Sequence, residues 1–186
     1  MHEMDRLALL YKLKDINRRG RVQKRNESSA EHTYSSIILA EYFLKKEKNI
    51  NAERAKKIIL YHDLCEIYAG DTFTLDEKKR EEKEKEEDKA IKKLLKEAPK
   101  EMQKEIKSAW KEFREQKTRE AKFAKAIDAL DPVIQESDKP EDWIKYNFNE
   151  QVMWEKKGKL FEEFPKMKKF FNEMLKELAK RKIMPQ

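Results

Sequence analysis

"AERAKKIILYHDLCEIYA", residues 52–69, decides how the chain is read. Ala55, Ile58, Ile59 and Cys65 accompany Leu60, Leu64 and Ile67, so apolar residues surround much of a helix that Asn51 can cap. A helix apolar over most of its circumference belongs at the centre of a fold. Yet this one carries His62 and Asp63, in a chain with only 3 histidines. Gly70 is placed to end it, leaving Asp71 at the mouth of the following loop.

Working outward, helical patterns fill both flanks. Residues 3–16 read as a first helix with Leu7, Leu10, Tyr11 and Leu13 in its body. "NRRGRVQKRNESS" then breaks the pattern with Gly20 and a knot of basic residues, and Ser28 or Ser29 can cap a second helix bearing Ile37, Ile38, Ala40, Tyr42 and Leu44. Downstream, the charged run from Asp76 reads as an exposed helix, with Asp76–Arg80 and Glu81–Lys85 as i,i+4 pairs. Pro99 opens a helix through Trp110 and Phe113, and Thr118 caps "REAKFAKAIDALDPVIQ". Pro140 begins "EDWIKYNFNEQVMWEKK", ended by Gly158. A last amphipathic helix follows Pro165, with Met167, Phe170, Phe171, Met174, Leu175 and Leu178 at helical spacing. These patterns predict an all-α, single-domain bundle of seven or eight helices spanning 1–186.

Composition agrees. At 186 residues the chain can bury one sizeable core, and 44% charged residues give it a highly charged exterior. With 3 glycines and 5 prolines it has too few turn-formers for an all-β fold. One cysteine, Cys65, rules out an intramolecular disulfide and fits a reducing compartment. The start carries no signal-peptide pattern, and no apolar run reaches the ~20 residues that span a bilayer, so a cytoplasmic protein is expected. A net charge of +7 suits an anionic small molecule such as a phosphate ester, although interspersed acids and bases also describe a plain solvated surface.

The chemistry centres on His62-Asp63. Neighbours on a helix diverge by roughly 100°, so they are no obvious hydrogen-bonded pair, but they can converge on one ion at the helix edge. Imidazole with carboxylate suits a divalent transition metal, one of Mn, Fe, Co, Ni, Cu or Zn. Further ligands must come from other helices. His32 lies near the start of the second helix, and Asp128 sits among Phe123, Ala124, Ile127 and Leu130, where an acid is costly unless paired or metal-bound. Alone, His62 would more often be a satisfied core histidine, and Asp128 would merely face solvent or a lysine. Together, in the order H…HD…D, they read as a metal site.

The segments "ESSAEHTY", "LYHDLCEIYAGDTFT" and "EAKFAKAIDAL", in this order, resemble the HD-domain superfamily of metal-dependent phosphohydrolases, and within it the small single-domain 5′-deoxynucleotidase branch. The similarity covers about residues 6–137, with helices over 140–181 expected to pack on that part. The resemblance implies an enzyme that releases phosphate from (deoxy)ribonucleoside 5′-monophosphates, with one divalent metal held by His32, His62, Asp63 and Asp128. It makes Glu66 the residue that orients or deprotonates the attacking water, Arg18 the phosphate-orienting residue and Asp71 a group for a sugar hydroxyl or a proton. Thr72, Phe73 and Thr74 match positions that line the nucleotide, and His32, Asp63 and Asp128 face the substrate too. A homodimer is implied chiefly by the same branch.

The chain departs from that pattern at one point. Several members of the branch place tryptophan near the arginine, where this chain has Arg19 and then Gly20-Arg21. Arg18 and Arg19 are therefore both candidates for the phosphate. Two other readings stay open: an HD-domain hydrolase of another small phosphoester, and a metal- or nucleotide-binding protein without turnover. Nucleic-acid binding would need a continuous Lys/Arg stripe with exposed aromatics, which the sequence does not supply.

Overall fold

The structure, a computed structural model, describes residues 1–71 and 78–185, with the side chains of 78–81 excepted. Thr72, Phe73 and Thr74, and the pairs Asp76–Arg80 and Glu81–Lys85, lie outside what is described. The chain runs α1 (Glu3–Tyr11), a 3-10 turn (Lys12–Asp15), β1 (Asn17–Val22), β2 (Arg25–Ser28), α2 (Ser29–Leu44), α3 (Ala52–Tyr61) and α4 (Glu66–Ala69). Then come α5 (Lys78–Glu97), α6 (Lys100–Glu115), α7 (Arg119–Gln135), α8 (Pro140–Lys145), α9 (Glu150–Lys157), a 3-10 turn (Gly158–Phe161) and α10 (Pro165–Lys180). No described helix is long and apolar enough to cross a membrane.

The helix starts follow the capping chemistry in the sequence. Ser28 accepts from the Glu31 amide, and Glu31 accepts in return from the Ser28 amide, a capping box that starts α2. Asn51 caps α3 and Thr118 caps α7 through side-chain oxygens. Of the predicted C-terminal stripe, Met167, Phe171, Leu175 and Leu178 are buried and Phe170 and Met174 partly so.

Three readings are refined. The basic segment is a hairpin, with Val22 paired to Arg25 and Arg21 to Asn26 across a turn in which Gln23 takes φ +55°. The predicted third helix stops at Tyr61. His62 Nδ1 lies 2.7 Å from the Ile59 carbonyl, the acceptor that a continuing helix would offer to the Asp63 amide, and the chain tightens to i→i−3 bonds until α4 begins. Leu60, expected in the apolar surround, is exposed. The segment after Pro140 also splits, because Asn147 adopts φ +50° and Asn149 caps a new helix. These two breaks raise the count to ten α-helices among the described residues.

Two apolar clusters form the interior. One gathers α2, α3, α7 and the C-terminal helices around Ile58, Phe123, Ile127, Phe161 and Phe171; the other gathers α1, α4, α5 and α6 around Leu64, Ile91, Leu94 and Ile106. Tyr61 packs against both, so the His62–Cys65 turn lies at the seam between them. α10 has no capping side chain of its own. Buried Glu47, just after α2, accepts from the Lys166 and Met167 amides at 2.7 and 3.0 Å and does that work across 119 residues of sequence. Glu47→Ala should therefore cost about 1–3 kcal/mol in urea unfolding, without moving the metal affinity.

Candidate metal centre and its surroundings

Three mutually packed helices, α2, α3 and α7, bring the predicted ligands together. His32 falls in the second turn of α2, with its side chain fully buried; His62 and Asp63 stand where α3 breaks; Asp128 sits mid-way along α7. His32, His62 and Asp63 each offer one ligand atom within 4.8 Å of one another. Asp128 Oδ1 lies 3.1 Å from His32 Nε2 and 3.7 Å from His62 Nε2, and Asp63 Oδ1 lies 3.2 Å from His62 Nε2.

Both rings are held by their far nitrogens. His62 Nδ1 donates to the Ile59 carbonyl, and His32 Nδ1 lies 2.8 Å from Asp131 Oδ2. Each Nε2 is thereby turned toward the shared space, as a metal-binding histidine requires. His62 Nε2 is buried and, among the described residues, has no hydrogen-bond partner. An orphaned imidazole nitrogen aimed at two carboxylates fits a transition-metal cation, and the donor set of nitrogen and oxygen fits it as well. His32 tells the same story from the acid side. Burial works against its positive charge, but hydrogen bonds to Asp128 and Asp131 outweigh it and raise its pKa to about 10. A cation entering the cluster therefore competes with the proton on Nε2.

Glu66 opens α4 and is buried, 4% exposed. The Ser29 hydroxyl donates to its Oε2 at 2.6 Å. Burial first, and then the charge of Asp63, push its pKa well above the ordinary carboxylate value. Gly70 takes φ +73°, a conformation that glycine adopts without strain, and the turn leaves Asp71 3.8 Å from Arg18.

The two candidate arginines part company. Arg18 Nη1 donates to Asp63 Oδ2 at 3.1 Å, within the cluster, whereas the Arg19 guanidinium stacks over the Tyr146 ring at 4.2 Å.

Four charged residues join the site that sequence reading did not single out. Asp131 holds His32, and buried Glu27 lies close enough to both to form a second three-residue group with them. Lys125 donates to Asp128 Oδ2 at 2.8 Å, leaving Oδ1 toward the two imidazoles. Lys157, in α9, donates to the Ala129 carbonyl at 2.7 Å. Asp131 was within reach, since it is an acid in the same apolar stretch as Asp128. Nothing in "WEKKGK" distinguishes Lys157 from a solvated lysine.

Comparison with known proteins identifies the family. The sequence model of the HD domain family matches residues 10–168, and the chain belongs to that family. It is 33% identical to the 5′-deoxynucleotidase HDDC2 of Bos taurus over 135 residues, covering 71% of this chain and 65% of that protein. A fission-yeast relative, the 5′-deoxynucleotidase hdd1 of Schizosaccharomyces pombe, is 30% identical over 155 residues, covering 81% of this chain and 76% of its own. The aligned chain thus spans 65% of the length of its first HDDC2 relative. Among solved structures, a predicted metal-dependent phosphohydrolase from Magnetospirillum magnetotacticum superposes with a TM-score of 0.83 at 25% identity, covering 98% of this chain and 94% of that one. The helical HD-domain fold follows from the family.

Proposed function

We propose that the chain is a phosphoric monoester hydrolase that releases phosphate from (deoxy)ribonucleoside 5′-monophosphates. The observation that carries this reading is the convergence of two imidazole Nε2 atoms on Asp63 and Asp128, with Arg18 donating into the same cluster. His32, His62, Asp63 and Asp128 would hold one divalent metal. Bound there, it supplies Lewis-acid charge for the phosphate oxygens and lowers the pKa of water.

The chain's own residues do the rest. Arg18 presents a planar fork of donors to the phosphate, and Asp63 and Asp71 fix its direction. Ser29 holds one oxygen of Glu66, so that the other takes the proton of the attacking water. Asp71, beyond the Gly70 turn, is available to a sugar hydroxyl. Thr72, Phe73 and Thr74 complete the nucleotide lining in this reading. Arg19, stacked on Tyr146, stands where the tryptophan of the branch is expected, and a polar stack there favours acceptance of both sugars.

The same reading takes 1–186 as a single domain, with the helices after 140 packed on the motif-bearing part at about 6–137. It takes the protein as cytoplasmic, in keeping with its single buried thiol, Cys65. It also takes it as a homodimer, for which Tyr34, Ile38 and Tyr42 offer an exposed apolar face on α2.

Phosphate release tests the proposal. Metal-stripped protein should be inactive toward deoxy- and ribonucleoside 5′-monophosphates and regain turnover with Mn or Co. Turnover of both series is the expected result. Turnover of the deoxy series alone would narrow the substrate to deoxynucleotides and remove Arg19 from sugar choice. Metal binding without release from either would overturn the reading.

A further inference from the structure

Lys157 is an unusual lysine. It lies in α9, beyond every motif that carries the resemblance, yet its ammonium reaches the carbonyl of Ala129, the residue after Asp128. Pro132 lies one turn further along α7, and a proline there has no amide for the Asp128 carbonyl. Lys157 docks beside that irregular turn, on the helix that carries the candidate ligand.

Among the described residues, no carboxylate forms an ion pair with Lys157, whereas Lys125 next to it in the field is committed to Asp128 Oδ2 at 2.8 Å. Burial weakens its positive charge most, the positive charges of Lys125 and Arg18 add to that, and the attraction of Asp128 only partly offsets them; its pKa falls to about 8. A part-buried cation whose only hydrogen bond among the described residues goes to a neutral carbonyl, and whose charge is compensated only in part by Asp128 from a distance, is costly to maintain. A clamp between α9 and α7 would use one of its three donors and none of its charge.

We propose that Lys157 binds the substrate phosphate, so that helix α9 contributes a second phosphate-binding cation to the site that Arg18 serves. The proposal rests on the phosphomonoester reading above and deepens it: the C-terminal helices are then part of the site and not only its support. An arriving phosphate supplies the ion-pair partner that no described carboxylate gives Lys157, and two ammonium donors remain for its oxygens. Lysine acts here as a point charge, complementary to the planar fork of Arg18.

The test is binding of inorganic phosphate to the Mn-loaded full chain, by calorimetry at fixed ionic strength. Four proteins are compared: the natural chain, Lys157→Gln, Lys157→Met, and Lys180→Gln, which removes an exposed charge from α10. Gln keeps a donor for the Ala129 carbonyl and removes the charge, while Met removes both. Both Lys157 variants should bind phosphate about tenfold or more weakly with an undiminished metal content, and Lys180→Gln should stay within about twofold. Phosphate affinity of Lys157→Gln within about twofold of the natural chain would overturn the proposal. So would loss of metal together with phosphate in both variants, because Lys157 would then be holding Asp128 in place. If the natural Mn-loaded chain binds no phosphate, the phosphomonoester reading itself fails, and that result is distinct from either of the others.

Discussion

His62→Ala should bind Mn or Co at least about a hundredfold more weakly than the natural chain and release no phosphate above background. The estimate exceeds the ~10–100-fold cost of losing a group that merely orients a ligand, because here the ligand itself is lost. The geometry makes His62 the strictest position of the four. Its Nδ1 proton is committed to the Ile59 carbonyl, so the ring has one tautomer and one orientation, and its Nε2, beside Asp63 and Asp128, makes no hydrogen bond among the described residues. Phe113 packs against the ring with centroids 4.8 Å apart, which prevents another rotamer from taking its place. Alanine leaves a small space beside Phe113, so the variant should still fold. The measurements are metal content after dialysis, circular dichroism and phosphate release. A folded variant with full metal content would remove His62 from the ligand set.

Glu66→Gln should give the opposite pattern, with full metal and a kcat lower by about 10²–10⁴. Glutamine is nearly isosteric and can still meet the Ser29 hydroxyl, so the seam between the two apolar clusters is undisturbed. What disappears is a carboxylate that burial and Asp63 together make more basic than usual. Such a group is a better proton acceptor than an exposed glutamate and is of no evident use to a protein that only holds a metal. Metal content, KM and kcat should be measured on one preparation. An unchanged kcat would end the assignment of Glu66 as the base and favour a binder without turnover.

The helical fold was legible because the sequence marks its own helix starts. Ser28 with Glu31, Asn51, Thr118, Pro140 and Pro165 all lie at or next to the first residues of observed helices. The clustering of His62, Asp63 and Asp128 was legible for a related reason: they stand in apolar surroundings where an uncompensated polar group is costly. The hairpin was not. "NRRGRV" has no apolar alternation, and the strand is held instead by groups about 115 residues away, Glu136 accepting from the Arg21 amide and Gln135 and Lys139 donating to its carbonyl. The break at His62 was hidden too, because a side chain that takes a backbone carbonyl leaves no trace in hydrophobic periodicity. Glu27 and Lys157 lie in charged runs that look solvated, and only the packing of β2 and α9 turns them inward.

In the proposed function, one metal held by His32, His62, Asp63 and Asp128 makes this chain a phosphomonoesterase. The most direct test is a titration of metal-stripped protein with Mn or Co, following bound metal and phosphate release from a deoxynucleoside 5′-monophosphate in the same samples. Activity should be absent at the start, rise in proportion to occupancy and level off at one metal per chain. Release from the stripped protein, or full occupancy with no release, would contradict the proposed function.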